Sequence, residues 1–251
     1  MTLRVKINFA DFWKLQANPH PIEGNPIYTI LKDHFTLEIS KQPDFLVYSC
    51  FGRDFLKYDC VRIFYTGENV RPNFNDCDYA VCFDYPQNDR GYRLPLYRLY
   101  KEYSDVLGQK NAAVEAASNR KFCNFIYSNR GAATRIAFFE KLCRYKTVDS
   151  AGKVQNNVGY RAKDKIDFMR QYKFSIAFEN SRYPGYTTEK ILHAFAAGTV
   201  PIYWGNPRIA EDFNPKSFIN CNNYPDLDAA VAKVIEVDRN DALYTQYLRE
   251  S

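Results

Sequence analysis

Apolar and polar residues alternate from Leu3 to Phe9, the period-two pattern of a half-buried strand. Asn25-Pro26, followed by Ile27, Tyr28, Ile30 and Leu31, predicts a capped helix with proline in its first turn. Short apolar runs at Phe35–Ile39, Phe45–Cys50, Val61–Thr66 and Tyr79–Asp84 predict further strands. Beyond them, Phe122–Tyr127 predicts a strand, and Ser128-Asn129-Arg130-Gly131 a turn and helix start. Ile136, Phe139, Leu142 and Cys143 then share one helical face. Thr147-Val148 opens another strand, and Ile166, Met169 and Tyr172 mark another helical face. Phe174–Glu179 predicts a strand, Thr188–Ala197 a helix and Val200–Trp204 a strand. Leu227, Ala230, Val231, Val234 and Ile235 follow the i, i+3, i+4, i+7, i+8 spacing of an amphipathic helix.

Strands and helices that alternate in this way predict parallel sheets covered on both faces. Two such α/β halves imply a cleft between them, with ligands beyond the carboxyl ends of the strands. The Ala-, Asn- and Gln-rich stretch Gly108 to Lys121 marks the boundary, giving domains 1–115 and 116–251.

Composition narrows the function. The net charge of +5 is spread along 251 residues. It suits an anionic ligand such as a nucleotide diphosphate, and the absence of a dense Lys/Arg stripe excludes a nucleic-acid partner. Aromatics reach 16%, with 20 Tyr and 19 Phe, enough to fill cores and to stack on sugars or bases. None of the seven cysteines has C-x-x-C spacing, which argues against a disulfide framework or zinc site and for a reducing cytosol. The opening alternates like a strand rather than like a leader, and no run of 18 apolar residues occurs. A protein in the cytoplasm, or peripheral on a membrane face, is expected.

The segment Phe178 to Gly205 carries the chemistry. A strand ends near Asn180, a loop with Pro184 and Gly185 follows, Thr187 or Thr188 caps a helix, and Gly198 ends it. The free N–H groups of that helix start attract a diphosphate, and Lys190 adds a positive charge. Glu189 has two readings: an acceptor for a sugar or ribose hydroxyl, or a carboxylate compensating the helix dipole.

Six stretches resemble the α-1,3-fucosyltransferases of glycosyltransferase family 10. They are Phe64-Tyr65-Thr66-Gly67-Glu68-Asn69 with Pro72-Asn73-Phe74, Asp78-Tyr79-Ala80, Phe178-Glu179-Asn180, Gly185 to Ile191, Val200 to Gly205, and Asp212 to Ile219. The resemblance implies a glycosyltransferase-B architecture, two Rossmann-like domains facing across a cleft. The N-terminal half would hold the acceptor, an N-acetyllactosamine-type glycan, and the C-terminal half GDP-fucose. It also implies an inverting transfer to a GlcNAc hydroxyl, in α-1,3 or α-1,4 linkage, with Glu68 as general base. The residues themselves leave Glu68 either there, with Gly67 allowing a sharp exit from the strand, or as a solvated loop carboxylate. Lys190 and Arg135 would neutralise the diphosphate, with Arg130 a competing candidate beside Ser128 and Asn129. Glu189 would accept ribose hydroxyls, and Tyr186 and Asn180 would line the pocket. Glu179 would face the fucose or serve only as a strand-end partner. No cofactor or essential divalent metal is expected. The other readings are a related transferase with another GDP-sugar or acceptor, and a non-catalytic GDP- or glycan-binding form.

Other signals are weaker. Asp76-Cys77-Asp78 has the D-x-D spacing of a metal–nucleotide site but reads as turn capping. His20, His34 and His193 lack metal-ligand spacing, with His193 read as partly exposed and His34 as the end of a helix. Asp11-Phe12-Trp13 is either an acceptor contact or core packing. The first sixty residues match the family least. Bacterial relatives often continue with heptad repeats and a basic amphipathic tail, so a chain that stops at Ser251, soon after one helix, is expected to be a short or truncated member.

Overall fold

The structure, a computed structural model, describes residues 2–13, 22, 24–102, 106 and 119–250. The turn read around His20, the 115/116 boundary and most of the stretch around it lie outside these residues. The chain forms two compact units, one up to Leu99 and one from Tyr100 onward.

The first unit holds β1 (Arg4–Ala10), α1 (Pro26–Lys32), β2 (Thr36–Ile39), β3 (Phe45–Tyr48), β4 (Val61–Tyr65), β5 (Tyr79–Cys82) and β6 (Gly91–Arg93). Its sheet has the order β2-β1-β3-β4-β5-β6, with every neighbouring pair parallel. Helix α1 begins where Asn-Pro predicts, because Asn25 Oδ1 accepts from the Ile27 N–H at 2.9 Å. Alternation sends Leu46 and Tyr48 into one core and Val47 into the other, so both faces are covered as a parallel sheet requires. Strand β6 has no run of apolar residues, which is why the pattern along the chain misses it. His34 lies in the turn after α1 rather than in its last turn, and is exposed.

The Asp11-Phe12-Trp13 stretch is resolved residue by residue. Asp11 has φ 59 and is buried, and its two carboxylate oxygens accept from the Asp54 and Phe55 N–H groups at 3.0 and 2.9 Å. Phe12 stacks on Tyr65. These two are packing and capping residues, whereas Trp13 lies exposed against Phe51.

The second unit holds β7 (Lys121–Phe125), α2 (Ala133–Cys143), β8 (Val148–Ser150), α3 (Lys165–Met169), β9 (Tyr172–Phe178), α4 (Glu189–Ala196), β10 (Val200–Trp204), β11 (Ile219–Asn220), α5 (Leu227–Arg239) and α6 (Asp241–Arg249). The sheet order is β11-β10-β9-β7-β8, again parallel. Counted along this unit, the order is the 2-1-3-4-5 of a doubly wound Rossmann-like sheet. The first sheet shares that order and adds a sixth strand.

Three expectations need correction. Tyr172 opens β9 instead of closing a helical face. Helix α3, capped by Asp164, ends at Met169, and Tyr172 pairs with Lys121 while its hydroxyl donates to Asp149. The chain does not end soon after one helix, since α6 follows α5 with Asn240 Oδ1 accepting from the Leu243 N–H. The buried face of α2 is Arg135, Phe138, Phe139 and Leu142, with Ile136 and Cys143 only partly buried beside it. Among the described residues no helix is long and apolar enough to cross a membrane. All seven cysteines are free, four of them buried.

Helix α4 stops at a left-handed glycine, Gly198 (φ 63), as its sequence predicts. Strand β10 runs into a second glycine, Gly205 (φ 152), whose added Cβ would lie 2.6 Å from Glu179 Cγ. Gly205→Ala therefore combines backbone strain with a clash against a buried carboxylate. Its cost is expected to be about 3 kcal/mol, read as a lowered urea midpoint at unchanged slope. A midpoint equal to the parent's would refute this account of the glycine.

Candidate functional site

In the second unit the strand order reverses between β7 and β9. The crevice beyond the carboxyl ends of those two strands is where such sheets take ligands. The end of β9 brings Glu179 and Asn180 there, the start of α2 brings Arg135, and the start of α4 brings Glu189 and Lys190.

Arg135 is 1% exposed. Its Nε and Nη2 donate to the Phe178 carbonyl at 3.2 and 2.8 Å, and Nη2 also donates to Asn180 Oδ1 at 2.8 Å. The guanidinium lies 3.8 Å from the centre of the Tyr127 ring, an attractive cation–aromatic contact. Tyr127 is itself fixed, since its hydroxyl donates to the Ile176 carbonyl and accepts from the Phe178 N–H. Burial pushes its phenol up to about 12. Arg135 Nη1 alone is buried without a hydrogen-bond acceptor, and no carboxylate pairs with this guanidinium among the described residues. A charged donor left in this state is costly, and an anionic ligand would remove the cost.

Glu179 is fully buried. Oε1 accepts from the Thr188 N–H at 2.7 Å, the Thr188 hydroxyl reaches both oxygens, and Lys190 Nζ lies 3.1 Å from Oε2. Its geometry is that of a strand-end partner. Thr188 occupies the cap position of α4, but its hydroxyl serves Glu179 and not the helix. The N–H groups expected to be free at this helix start are therefore partly engaged. Lys190 also donates to Thr188 Oγ1 at 2.7 Å and lies 3.6 Å from Glu189. Burial would lower its basicity, but the carboxylates of Glu179 and Glu189 outweigh burial and hold it above the ordinary lysine value.

Glu189 is mostly buried at the side chain. Burial alone would raise its pKa, yet the ammonium groups of Lys190 and then Lys165 hold it at about 2. Lys165, from α3, places Nζ 3.1 Å from His193 Nδ1, and Tyr100 meets the His193 ring edge-on. Burial and the neighbouring Lys165 ammonium depress His193 to about 4, so at neutral pH the imidazole accepts from Lys165. Burial also lowers Lys165 itself.

The loop before α4 rests on Asn206, which is fully buried. Its Oδ1 accepts from the Gly185 N–H at 2.8 Å, and its Nδ2 donates to Thr187 Oγ1 at 3.0 Å. Gly185 sits at φ 83, which suits glycine. Tyr186 is 2% exposed in this loop.

The remaining predicted residues stand on loops. Ser128, Asn129 and Arg130 are exposed on the loop before α2, where Asn129 Oδ1 accepts from the Gly131 N–H at 2.8 Å. Helix α2 has Ala132 in its cap position, so it has no side-chain cap, and no acidic residue stands in its first turn, which favours an anion there. Glu68 belongs to the first unit. It is exposed on the loop after β4, and its N–H donates to Thr66 Oγ1 at 3.0 Å. Gly67 does not supply a left-handed turn. It permits close approach, since an added Cβ would lie 2.9 Å from Leu96 Cδ1. Asp76 accepts from Asn73 Nδ2, and Asp78 from the Arg62 N–H, which is turn and strand capping. No His/Cys/Asp/Glu group suited to a metal occurs among the described residues.

Sequence reasoning missed Lys165, Tyr127 and Asn206 as supports of this cluster, and read His193 without a partner. The one available signal was that Glu189 and His193 stand four residues apart, on one helical face.

The depressed pKa values give a direction for acid stability. Between pH 6.5 and 4 the unfolded chain takes up a proton that folded His193 refuses, so stability falls as pH falls through that window. Glu189 continues the trend from 4.5 toward 2. His193→Gln is expected to flatten the urea midpoint against pH between 6.5 and 4. An unchanged slope there would contradict the Lys165–His193 contact.

Residues 7–100 match the α-(1,3)-fucosyltransferase FucT N-terminal domain, and residues 116–249 match the glycosyltransferase family 10 (fucosyltransferase) C-terminal domain. The chain is 34% identical to the α-(1,3)-fucosyltransferase FucT of Helicobacter pylori over 98% of its own length, and spans 60% of that relative. It is similar to a crystal structure of an α1,3-fucosyltransferase with GDP-fucose, with TM-score 0.85 and 31% identity, covering 100% of this chain and 82% of the other. An α-glucosyltransferase bound to UDP-glucose and DNA shares the fold alone, with TM-score 0.57, 10% identity, and coverage of 100% and 94%. The two Rossmann-like units are thus those of the glycosyltransferase-B class, and the chain belongs to glycosyltransferase family 10, the fucosyltransferases.

Proposed function

We propose that this chain transfers L-fucose from GDP-β-L-fucose, with inversion, to a GlcNAc hydroxyl of an N-acetyllactosamine-type glycan, forming an α-1,3 linkage. The observation that carries the donor reading is Arg135, a buried guanidinium with one unpartnered nitrogen at the strand-order reversal of the second unit. Family membership and the likeness to a GDP-fucose complex support the same reading.

In this reading the C-terminal domain, 116–251, holds the donor. Arg135 Nη1 and Lys190 neutralise the diphosphate, aided by the open start of α2 and the Ser128-Asn129-Arg130 loop. Glu189, ionised across the neutral range, accepts ribose hydroxyls, while Asn180 and Tyr186 line the pocket. Glu179 holds Lys190 in place. The cations take the part that a metal plays elsewhere, so no divalent ion is required. The N-terminal domain, 1–115, holds the acceptor. Glu68 takes the proton from the acceptor hydroxyl as its oxygen bonds to the anomeric carbon. The bond to GDP breaks in the same displacement, and the diphosphate leaves with the electron pair.

Two outcomes test the assignment. Arg135→Met is expected to lower kcat/KM for GDP-fucose by about a hundredfold and to abolish thermal stabilisation by GDP. Stabilisation by UDP and not GDP in the parent protein would overturn the donor. Glu68→Gln is expected to lower transfer by about two to four orders of magnitude with GDP stabilisation kept, and parental turnover would remove Glu68 as the base.

A further inference from the structure

The first unit contains a cavity of about 270 Å³ that none of the predicted site residues lines. Its floor is formed by Ala80 and Cys82, on one face of β5, and by Gly91 at the start of β6. Arg71 and Phe74 border it from the loop after β4, and Asp84 and Tyr85 from the loop after β5. Arg71 Nε donates to Asp84 Oδ2 at 2.6 Å, and Asp84 Oδ1 accepts from the Tyr85 N–H at 3.1 Å. The Phe74 and Tyr85 rings are each held by a guanidinium, Arg90 at 4.7 Å and Arg93 at 4.6 Å from the ring centres.

This chemistry selects among ligand classes. The volume lies below the roughly 300–1,000 Å³ of sites for drug-sized ligands, too small for a nucleotide but suited to one sugar ring. Arg71 pairs with Asp84, and Arg90 and Arg93 lie against the bordering rings, so the border presents directional donors and acceptors. Aromatic residues with fixed ring planes offer faces to the C–H surface of a pyranose, beside hydrogen-bonding groups for its hydroxyls. The site also lies on the loop that carries Glu68, three residues before Arg71.

We infer that the cavity bordered by Arg71, Phe74, Asp84 and Tyr85 binds one pyranose ring of the acceptor glycan, so that Arg71 and Asp84 determine acceptor specificity. This rests on the proposed fucosyl transfer and deepens it, because it fixes which surface of the N-terminal unit reads the glycan next to the base.

The pair is partly exposed, with Arg71 48% and Asp84 15% accessible at the side chain. Such a pair contributes little to stability, so Arg71→Met and Asp84→Asn are expected to fold with the parent's melting temperature and to keep the thermal shift with GDP. Each variant is expected to lower kcat/KM for an N-acetyllactosamine-type disaccharide by about tenfold or more, through KM. Saturation-transfer NMR with that disaccharide and GDP should show ring-proton signals on the parent that weaken in both variants. Parental acceptor kcat/KM in both variants, or no saturation transfer on the parent, overturns the site. If the parent transfers no fucose, the proposed function fails on its own, and the NMR comparison still decides the cavity. A lowered melting temperature together with a raised acceptor KM would make the pair a loop clamp and also overturn the proposal.

Discussion

The organisation of the second unit depends on one buried charge. Glu179 has no exposed surface, so its carboxylate must be fully satisfied inside the protein. It is satisfied by the Thr188 N–H, the Thr188 hydroxyl and Lys190. These contacts join the end of β9 to the start of α4, and Gly205 leaves the space that the carboxylate occupies. Asn206, one residue on, ties the intervening loop from the other side. Breaking such a pair on one side costs more than the pair contributes, because the remaining charge is stranded.

That arrangement orders the positive charges nearby. Lys190 is engaged by two carboxylates, and Lys165 by His193 and the field of Glu189. Arg135 is different, held by a carbonyl, an amide oxygen and an aromatic face, none of which neutralises it. The fields of Glu189 and Glu102 also reach His193, which burial and the Lys165 ammonium keep neutral. The proposed diphosphate meets Arg135, the cation that has an unmet donor.

Much of this was legible in the amino-acid order. The strand–loop–helix–strand run from Phe178 to Gly205, the stop at Gly198 and the cap at Asn25 follow from local rules that do not depend on distant residues. The parallel sheets followed from alternation. Other features depend on tertiary contacts that no local rule contains. Thr188 looked like a helix cap, but a carboxylate nine residues earlier takes its hydroxyl. Tyr172 fitted a helical face, but its pairing with Lys121 makes it strand. Gly67 suggested a turn, whereas Leu96 explains the missing side chain. Lys165 carried no signal, since its role depends on α3 packing against α4. The family resemblance assigned Arg135 to the diphosphate, but only the fold reveals that one of its nitrogens is buried and unmet.

A structure of the chain with GDP tests the central claim most directly. The account predicts a diphosphate oxygen within about 3.2 Å of Arg135 Nη1, with the Glu179–Lys190 pair intact beside it. A diphosphate bound elsewhere, with that nitrogen still lacking an acceptor, would contradict it.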